Sequence, residues 1–239
     1  MVLKLFKFII GILLIPPCIA ITQTLWILIL SIHPDTQYLV PPPALALLSG
    51  LLLWLALFFV APRPVRSYIL AHELTHALWG MLMGAEIFSI KVSDNQGYVE
   101  LSKNNFVITL APYFFPLYTV LIIAAYYVTG IFFDVERFNI FWLVAIGFTW
   151  GFHLTFTIAA LMQHQTDIQQ HGRIFSYSVI YLLNILGICF WVIMVSPATL
   201  ETMVSNIHDK TISISEKSFD LAKQQIEILK KHIPTKTNR

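Results

Sequence analysis

The sequence predicts an all-α polytopic membrane protein with about six transmembrane helices and one short β-hairpin. Of its 239 residues, 57% are hydrophobic and only 12% are charged, and the mean hydropathy is +0.72. Soluble domains carry about 25% charged residues, so this composition excludes an ordinary soluble fold. The net charge of +2, with no stripe of basic residues, also argues against a nucleic-acid partner.

Six apolar stretches reach or approach the roughly 20 residues that a helix needs to cross a bilayer. They cover residues 5–30, 44–60, 67–84, 106–129, 138–162 and 174–195. The first contains Pro16 and Pro17, which predict a kink, and it follows Lys4 and Lys7 as a signal peptide would. Because this stretch is long and lacks a clear cleavage site, we expect it to be retained as a membrane anchor.

The distribution of basic residues predicts an orientation. If the N-terminus is cytoplasmic and the six helices alternate, most basic residues fall on cytoplasmic segments: Lys4, Lys7, Arg63, Arg66, Arg137 and seven in the tail. The opposite face then carries Lys91, Lys103 and Arg173. By the positive-inside rule we expect both termini in the cytoplasm, in a multi-pass protein of the bacterial inner (plasma) membrane.

Two segments are polar and are not expected to span the bilayer. Residues 86–105 alternate weakly between polar and apolar and turn at residues 93–97, which predicts a β-hairpin directly after the third stretch. Residues 197–239 carry apolar side chains near helical spacing, which predicts a cytoplasmic amphipathic tail. The chain thus divides into a membrane domain, 1–196, and a tail, 197–239.

The third stretch contains His72-Glu73-Leu74-Thr75-His76, an HExxH motif that predicts a metal centre. Two imidazoles four residues apart share one helical face, which suits two adjacent ligands of tetrahedral Zn²⁺, and Glu73 is placed as a general base. These polar side chains are costly in a spanning helix, which favours a function for them. Gly80 and Gly84 continue the same face and predict that a second element approaches closely there.

Catalytic zinc normally takes three protein ligands, so a third ligand must come from another part of the chain. The candidates are acidic residues near the spans and one mid-span histidine: Asp35, Asp94, Glu100, Asp134, Glu136, His153 and Asp167. His153 and Asp167 cannot both bind one ion along a continuous helix, because their spacing corresponds to about 21 Å.

The predicted topology leaves the third ligand open between these two residues. The third and fifth stretches run in the same direction, so a regular fifth helix would carry Asp167 to the face opposite His72. His153 would lie nearer to His72 in depth. Three explanations remain from this geometry: a broken or re-entrant helix that returns Asp167, His153 as the ligand, or a different number of spans.

The HExxH motif is followed by the hairpin, by Ala111-Pro112-Tyr113-Phe114-Phe115-Pro116, and by a distant aspartate. Together these features resemble the site-2-protease-like (M50) membrane metallopeptidases, in a minimal form without a PDZ domain. The resemblance covers residues 67–172, the expected metallopeptidase core. It implies that His72, His76 and Asp167 bind Zn²⁺ and that Glu73 is the catalytic base, with His153 as the runner-up third ligand.

We therefore expect an intramembrane zinc metalloprotease that hydrolyses peptide bonds of membrane-embedded or membrane-proximal proteins and peptides within the lipid bilayer. The hairpin offers an edge for pairing with an extended substrate. The candidate oxyanion donors are polar residues near the motif and near Asp167: Asn104, Asn105, Gln163, His164 and His171. The alternative is a non-catalytic polytopic membrane protein, a transporter or assembly scaffold, with a structural or transported metal. The oligomeric state stays open.

Overall fold

The computed structural model describes residues 2–32, 40–94 and 96–232 as a helical protein with one two-stranded sheet. Its helices are α1 (Val2–Leu13), α2 (Ile15–Leu30), α3 (Pro42–Val60), α4 (Val65–Leu82), α5 (Phe106–Phe114), α6 (Leu117–Gly130), α7 (Asn139–Leu161), α8 (Thr166–His171), α9 (Arg173–Met194) and α10 (Leu200–His232). A 3₁₀ turn, Glu136–Phe138, precedes α7. Strands β1 (Ile87–Val92) and β2 (Gly97–Leu101) pair antiparallel. The helical class and the predicted hairpin after the HExxH helix are confirmed, whereas Asp35 lies outside the described residues.

Four helical segments are long and apolar enough to cross a bilayer, and a fifth crossing results if one bent pair counts as a single span. The four are Val2–Leu30, Pro42–Val60, Glu136–Leu161 and Arg173–Met194, and the bent pair joins α5 to α6. The sequence count of about six also included residues 67–84. In the described part of the chain, the helix found there, α4, is not among the candidate spans. The polar side chains of the HExxH motif lower its mean hydropathy.

Prolines interrupt the helices at two places, because proline lacks the N–H that a helix interior needs. One residue, Leu14, separates α1 from α2, and this break lies just ahead of Pro16 and Pro17, where the sequence predicted a kink. Pro112 lies inside α5, Pro116 precedes the first residue of α6, and the two helix axes differ by 75°. Tyr113 lies just before this bend and faces the HExxH motif of α4.

Glycines bring α3 and α7 into close contact. Gly50 lies against the backbone of Val144, and Gly147 lies against the backbone of Leu47. A Cβ atom at either glycine would overlap a carbonyl oxygen of the other helix. Small residues allow such close approach between helices in a bilayer, where packing rather than the hydrophobic effect holds helices together.

The first and last candidate spans run in the same direction. Gly11 of α1 lies against Phe175 at the start of α9. Further along, the hydroxyl groups of Thr22 and Tyr181 are hydrogen-bonded at 2.7 Å. The N-terminus of α1 and the start of α9 therefore lie at the same end of the bundle.

The end of α7 lies at this end as well. The hydroxyl of Tyr177, near the start of α9, donates to the carbonyl oxygen of Leu161 at 3.4 Å. Tyr68, near the start of α4, stacks on Phe156 of α7 with ring centroids 4.8 Å apart. We call this the α4 end of the bundle, since α4 begins there.

Both ends of α4 lie at the α4 end. Its start faces the end of α7, and at its C-terminal end the sulfur of Met83 accepts a hydrogen bond from Asn105, the residue before α5, at 3.0 Å. Asp94 in the hairpin turn pairs with Arg66 near the start of α4 at 3.5 Å. Phe106, the first residue of α5, packs against Phe175 with ring centroids 5.5 Å apart. This differs from the alternation of six spans, in which residues 67–84 cross the bilayer. α7 ends where α4 begins, so Asp167 follows beside the motif.

The tail is helical between Leu200 and His232, and only its first turns pack on the bundle. Met203 is buried together with Ile21, Leu28 and Cys189. Further along α10, Phe219 is exposed. Because α9 runs parallel to α2, α10 begins at the end of the bundle opposite the α4 end.

We expect Gly147→Ala to lower the free energy of unfolding by about 1–3 kcal/mol, because the added methyl group forces the backbones of α3 and α7 apart. Gly130→Ala is the matched control, since a Cβ there would meet only a side-chain carbon of Val135, at 3.2 Å. Unfolding in mixed micelles, followed by circular dichroism, measures both. Equal losses in the two variants would contradict the close contact of α3 and α7.

Candidate metal centre

α4 presents the motif, and its C-terminal end shows what the two glycines do. Gly84 has a φ of +72°, and the N–H of Ala85 donates to the carbonyl oxygen of Gly80 at 2.8 Å, as in a Schellman cap. At Gly80, a Cβ would lie 2.9 Å from the side chain of Leu101 on β2. The close approach predicted from the glycine pattern is therefore made by β2 at Gly80, whereas Gly84 ends the helix.

Three ligand atoms from α4 and α8 converge on one point. Nε2 of His72 and Nε2 of His76 lie 3.2 Å apart, and each lies 3.5 Å from Oδ2 of Asp167. Two ligands bound to tetrahedral Zn²⁺ at about 2.0–2.1 Å are separated by about 3.3–3.4 Å. The three atoms thus fit three corners of a zinc tetrahedron. Among the described residues, they form the single group of three His, Cys, Asp or Glu side chains that could hold a metal ion.

Hydrogen bonds at Nδ1 orient both imidazoles. Nδ1 of His76 lies 2.9 Å from the carbonyl oxygen of Ile108, to which it can only donate, so its Nε2 presents a lone pair. Nδ1 of His72 lies 3.3 Å from the hydroxyl oxygen of Tyr68. With both Nδ1 atoms engaged, the two Nε2 atoms are left to face the carboxylate of Asp167, with which they could hold a cation.

Tyr113 holds the third ligand. Its fully buried hydroxyl donates to Oδ2 of Asp167 at 3.0 Å, and its ring packs edge-on against His72. Its carbonyl oxygen accepts a hydrogen bond from Asn184 of α9 at 2.8 Å. Burial alone would raise the pKa of Asp167, but hydrogen bonds and charge from His72 and His76 lower it below its usual value. The carboxylate is therefore ionised at neutral pH, as metal binding requires.

The short helix α8 is anchored after Asp167 by contacts with two neighbouring helices. Ile168 is buried, and its carbonyl oxygen accepts a hydrogen bond from Ser176 of α9 at 3.1 Å. Nδ1 of His171 lies 2.6 Å from Nζ of Lys7 on α1. These contacts make α1 and α9 part of the support of the third ligand.

Glu73 lies outside the triangle and is held by the hairpin. Its side chain is buried, and the backbone N–H of Val99 faces its carboxylate. Gly97 lies so close that a Cβ there would come within 2.7 Å of Glu73 and of Ile69. β2 therefore fixes the carboxylate of Glu73, the residue that follows His72.

Two cavities meet at the motif. One, of about 500 Å³, lies between α4, β2, α5 and α8. The other, of about 320 Å³, lies between α4, the hairpin and the ends of α3 and α7. The residues that line both cavities are His72, Glu73, Gly97 and Gln165. A larger apolar groove of about 810 Å³, between α2, α7 and α9, includes none of these four residues.

His153 lies outside the metal group. It is buried on α7 beside the ring of Trp150 and faces Asn184 of α9. The group of three within metal-binding distance contains Asp167 in its place. The other described candidates are on different elements: Asp94 and Glu100 on the hairpin, and Asp134 and Glu136 between α6 and α7.

The structure also separates the expected oxyanion donors. The side chain of Asn105 caps α5, His164 contacts Gln169, and His171 contacts Lys7. Asn104 lines the cavity beside α5, and Gln163 lines the cavity beside α7, but neither lies where the cavities meet.

Sequence reasoning missed Tyr68, Tyr113 and Gln165, all of which contact or line the site. Tyr68 carries a usable signal, because it precedes His72 by one helical turn and shares its face. Tyr113 and Gln165 lie on other elements, and no spacing rule connects them to α4.

No protein-family model, curated protein or solved structure matches the chain. The function proposed below rests on the geometry of the site and on the motif.

We expect one Zn²⁺ per chain, because the three ligand atoms lie at the spacing of a tetrahedral zinc site. Asp167→Ala removes one corner of the triangle and should weaken zinc affinity by about 100-fold or more, since loss of a mere supporting residue already costs 10- to 100-fold. His153→Ala is the control and should keep wild-type affinity. Elemental analysis after dialysis against zinc buffers measures both. Equal losses, or zinc retention in Asp167→Ala, would contradict the assignment of the third ligand.

Proposed function

We propose that the protein is an intramembrane zinc metallopeptidase of the site-2-protease-like (M50) type. The observation that supports this most directly is the triangle formed by His72, His76 and Asp167, with the Glu73 carboxylate beside it. Structural zinc sites are closed by four protein ligands, whereas catalytic sites have three and keep one position open. The site has three ligands and two adjoining cavities, which fits the catalytic arrangement.

Glu73 is the general base in this proposal. When bound, Zn²⁺ acts as a Lewis acid that lowers the pKa of water towards 7. The Glu73 carboxylate accepts a proton from the attacking water while the water oxygen bonds to the carbonyl carbon of the substrate. It then delivers that proton to the amide nitrogen as the C–N bond breaks. One water is consumed, and a new carboxyl group and a new amino group result.

The proposed substrate is a membrane-embedded or membrane-proximal peptide segment that binds in extended form. Carbonyl groups inside a helix are engaged in intrahelical hydrogen bonds, so a helical segment must unwind before it is cleaved. β2 lines the larger of the two site cavities from Gly97 to Leu101 and is paired with β1 on its other edge. An extended chain in this cavity can form backbone hydrogen bonds with β2.

We infer that the α4 end faces the cytoplasm. The short segments at this end carry most of the basic residues that lie outside α10: Lys4, Lys7, Arg63, Arg66, Lys91, Lys103 and Arg173. The loops that join spans at the opposite end carry Arg137. The positive-inside rule favours this orientation. It assigns the start of α10 to the non-cytoplasmic face, in contrast to the cytoplasmic tail expected from six alternating spans.

We expect Glu73→Gln to lower peptide-bond cleavage by about 10²- to 10⁴-fold, because the variant lacks the base but keeps all three ligands. Cleavage of a single-span reporter protein in proteoliposomes measures the activity, and elemental analysis checks that zinc is retained. Glu86→Gln is the control, since Glu86 lies before β1 and touches neither cavity at the motif.

Full cleavage by Glu73→Gln would contradict the proposed role of this residue. A wild-type protein that retains zinc but cleaves neither the reporter nor an unfolded soluble protein would favour the alternative, a membrane protein in which the metal is structural or transported.

We expect reporters fused at the two termini to give opposite results, because α1–α2 and α9 run in the same direction. Green fluorescent protein should fluoresce when fused before Met1, and alkaline phosphatase should be active when fused after Arg239. A fluorescent fusion that truncates the chain after Gln163, at the α4 end, is the control for the cytoplasmic face. Fluorescence of a fusion after Arg239 would contradict the inferred orientation.

A further inference from the structure

Gln165 occupies the position where the two site cavities meet. It immediately precedes α8, yet its side chain forms no capping hydrogen bond to that helix. It lines both cavities together with His72, Glu73 and Gly97. An extended chain that passes from one cavity into the other must therefore pass Gln165 beside the base and the first ligand.

The carbonyl oxygen of the Gln165 side chain faces the hydroxyl of Tyr113. The hydroxyl of Tyr113 lies 3.4 Å from Oε1 of Gln165 and 3.0 Å from Oδ2 of Asp167. Because the oxygen of a carboxamide faces Tyr113, its NH₂ group points away from Tyr113. In the described part of the chain, this NH₂ group donates to no other atom, so both of its hydrogens are available to a ligand in the cleft.

A peptidase needs a donor for the oxygen of the scissile carbonyl, because negative charge develops there as water adds to the carbon. The expected donors do not meet this need equally well: Asn104 and Gln163 each line one cavity only, and Asn105 is engaged in capping α5. Gln165 lies where the two cavities meet, and Glu73 lines both cavities as well. In the sequence, Gln165 precedes Asp167, the third ligand, by two residues.

We propose that Nε2 of Gln165 donates a hydrogen bond to the scissile carbonyl oxygen and stabilises the oxyanion of the tetrahedral adduct. This rests on the proposed peptidase function and adds a catalytic residue to it.

Gln165→Met tests the proposal, because methionine keeps the length of the side chain, adds no charge and removes both donors. We expect kcat to fall by roughly 10²- to 10³-fold with little change in KM, as when one oxyanion donor is removed. Zinc content should stay at the wild-type level. Gln170→Met is the matched control: it removes the same groups from an exposed residue of α8 that lines neither cavity, and its kcat should remain within about twofold of wild type.

Binding of a peptide phosphinate, which mimics the tetrahedral adduct, provides a readout independent of turnover. Affinity for the phosphinate should fall in Gln165→Met in proportion to kcat, whereas inhibition by the small chelator 1,10-phenanthroline should not change. Wild-type kcat and phosphinate affinity in Gln165→Met would overturn this inference and leave the peptidase function standing. A wild-type protein with bound zinc but no cleavage would overturn the proposed function and this inference with it.

Discussion

Three electron-rich atoms within 3.5 Å of one another repel strongly in a poorly solvated interior unless a cation lies between them. In this protein the Nε2 atoms of His72 and His76 and a carboxylate oxygen of Asp167 are brought into that arrangement. The supporting contacts come from many elements: α5 orients both His76 and Asp167, α1 and α9 hold α8, and β2 fixes Glu73. A short polar helix, a hairpin and a bent helix pair are thus packed together around three side chains that could hold a cation.

Local patterns in the sequence predict what depends on neighbouring residues. The spacing of His72 and His76 predicts their shared face, the turn residues after them predict the hairpin, and Pro16 predicts the break between α1 and α2. In each case the physical cause lies within a few residues: helical periodicity, turn formation, or the missing N–H of proline. The α5–α6 bend has the same kind of cause at Pro116.

The position of Asp167 could not be derived this way, because it depends on how far α4 extends into the membrane. Hydrophobic length suggested that residues 67–84 form a full crossing, which would place Asp167 and His72 at opposite faces. In the structure, both ends of α4 lie at the same end of the bundle. Asp167 was selected from the family resemblance, and the structure brings it within 3.5 Å of both histidines. The contacts of Tyr113 and Gln165 are set by tertiary packing alone, so no periodicity in the sequence predicts them.

The position of α4 at one end of the bundle has a consequence for membrane permeability if the protein hydrolyses peptides as proposed. Hydrolysis requires water at the site, and a water-filled path across the whole bundle would also conduct protons. Because His72 lies seven residues, about 10 Å, from the start of α4, water needs to enter from one face only. Beyond the site, α3 and α7 are sealed against each other by their glycine contacts. In the proposed peptidase, the site would thus be hydrated from one face of the membrane without a water-filled path across the bundle.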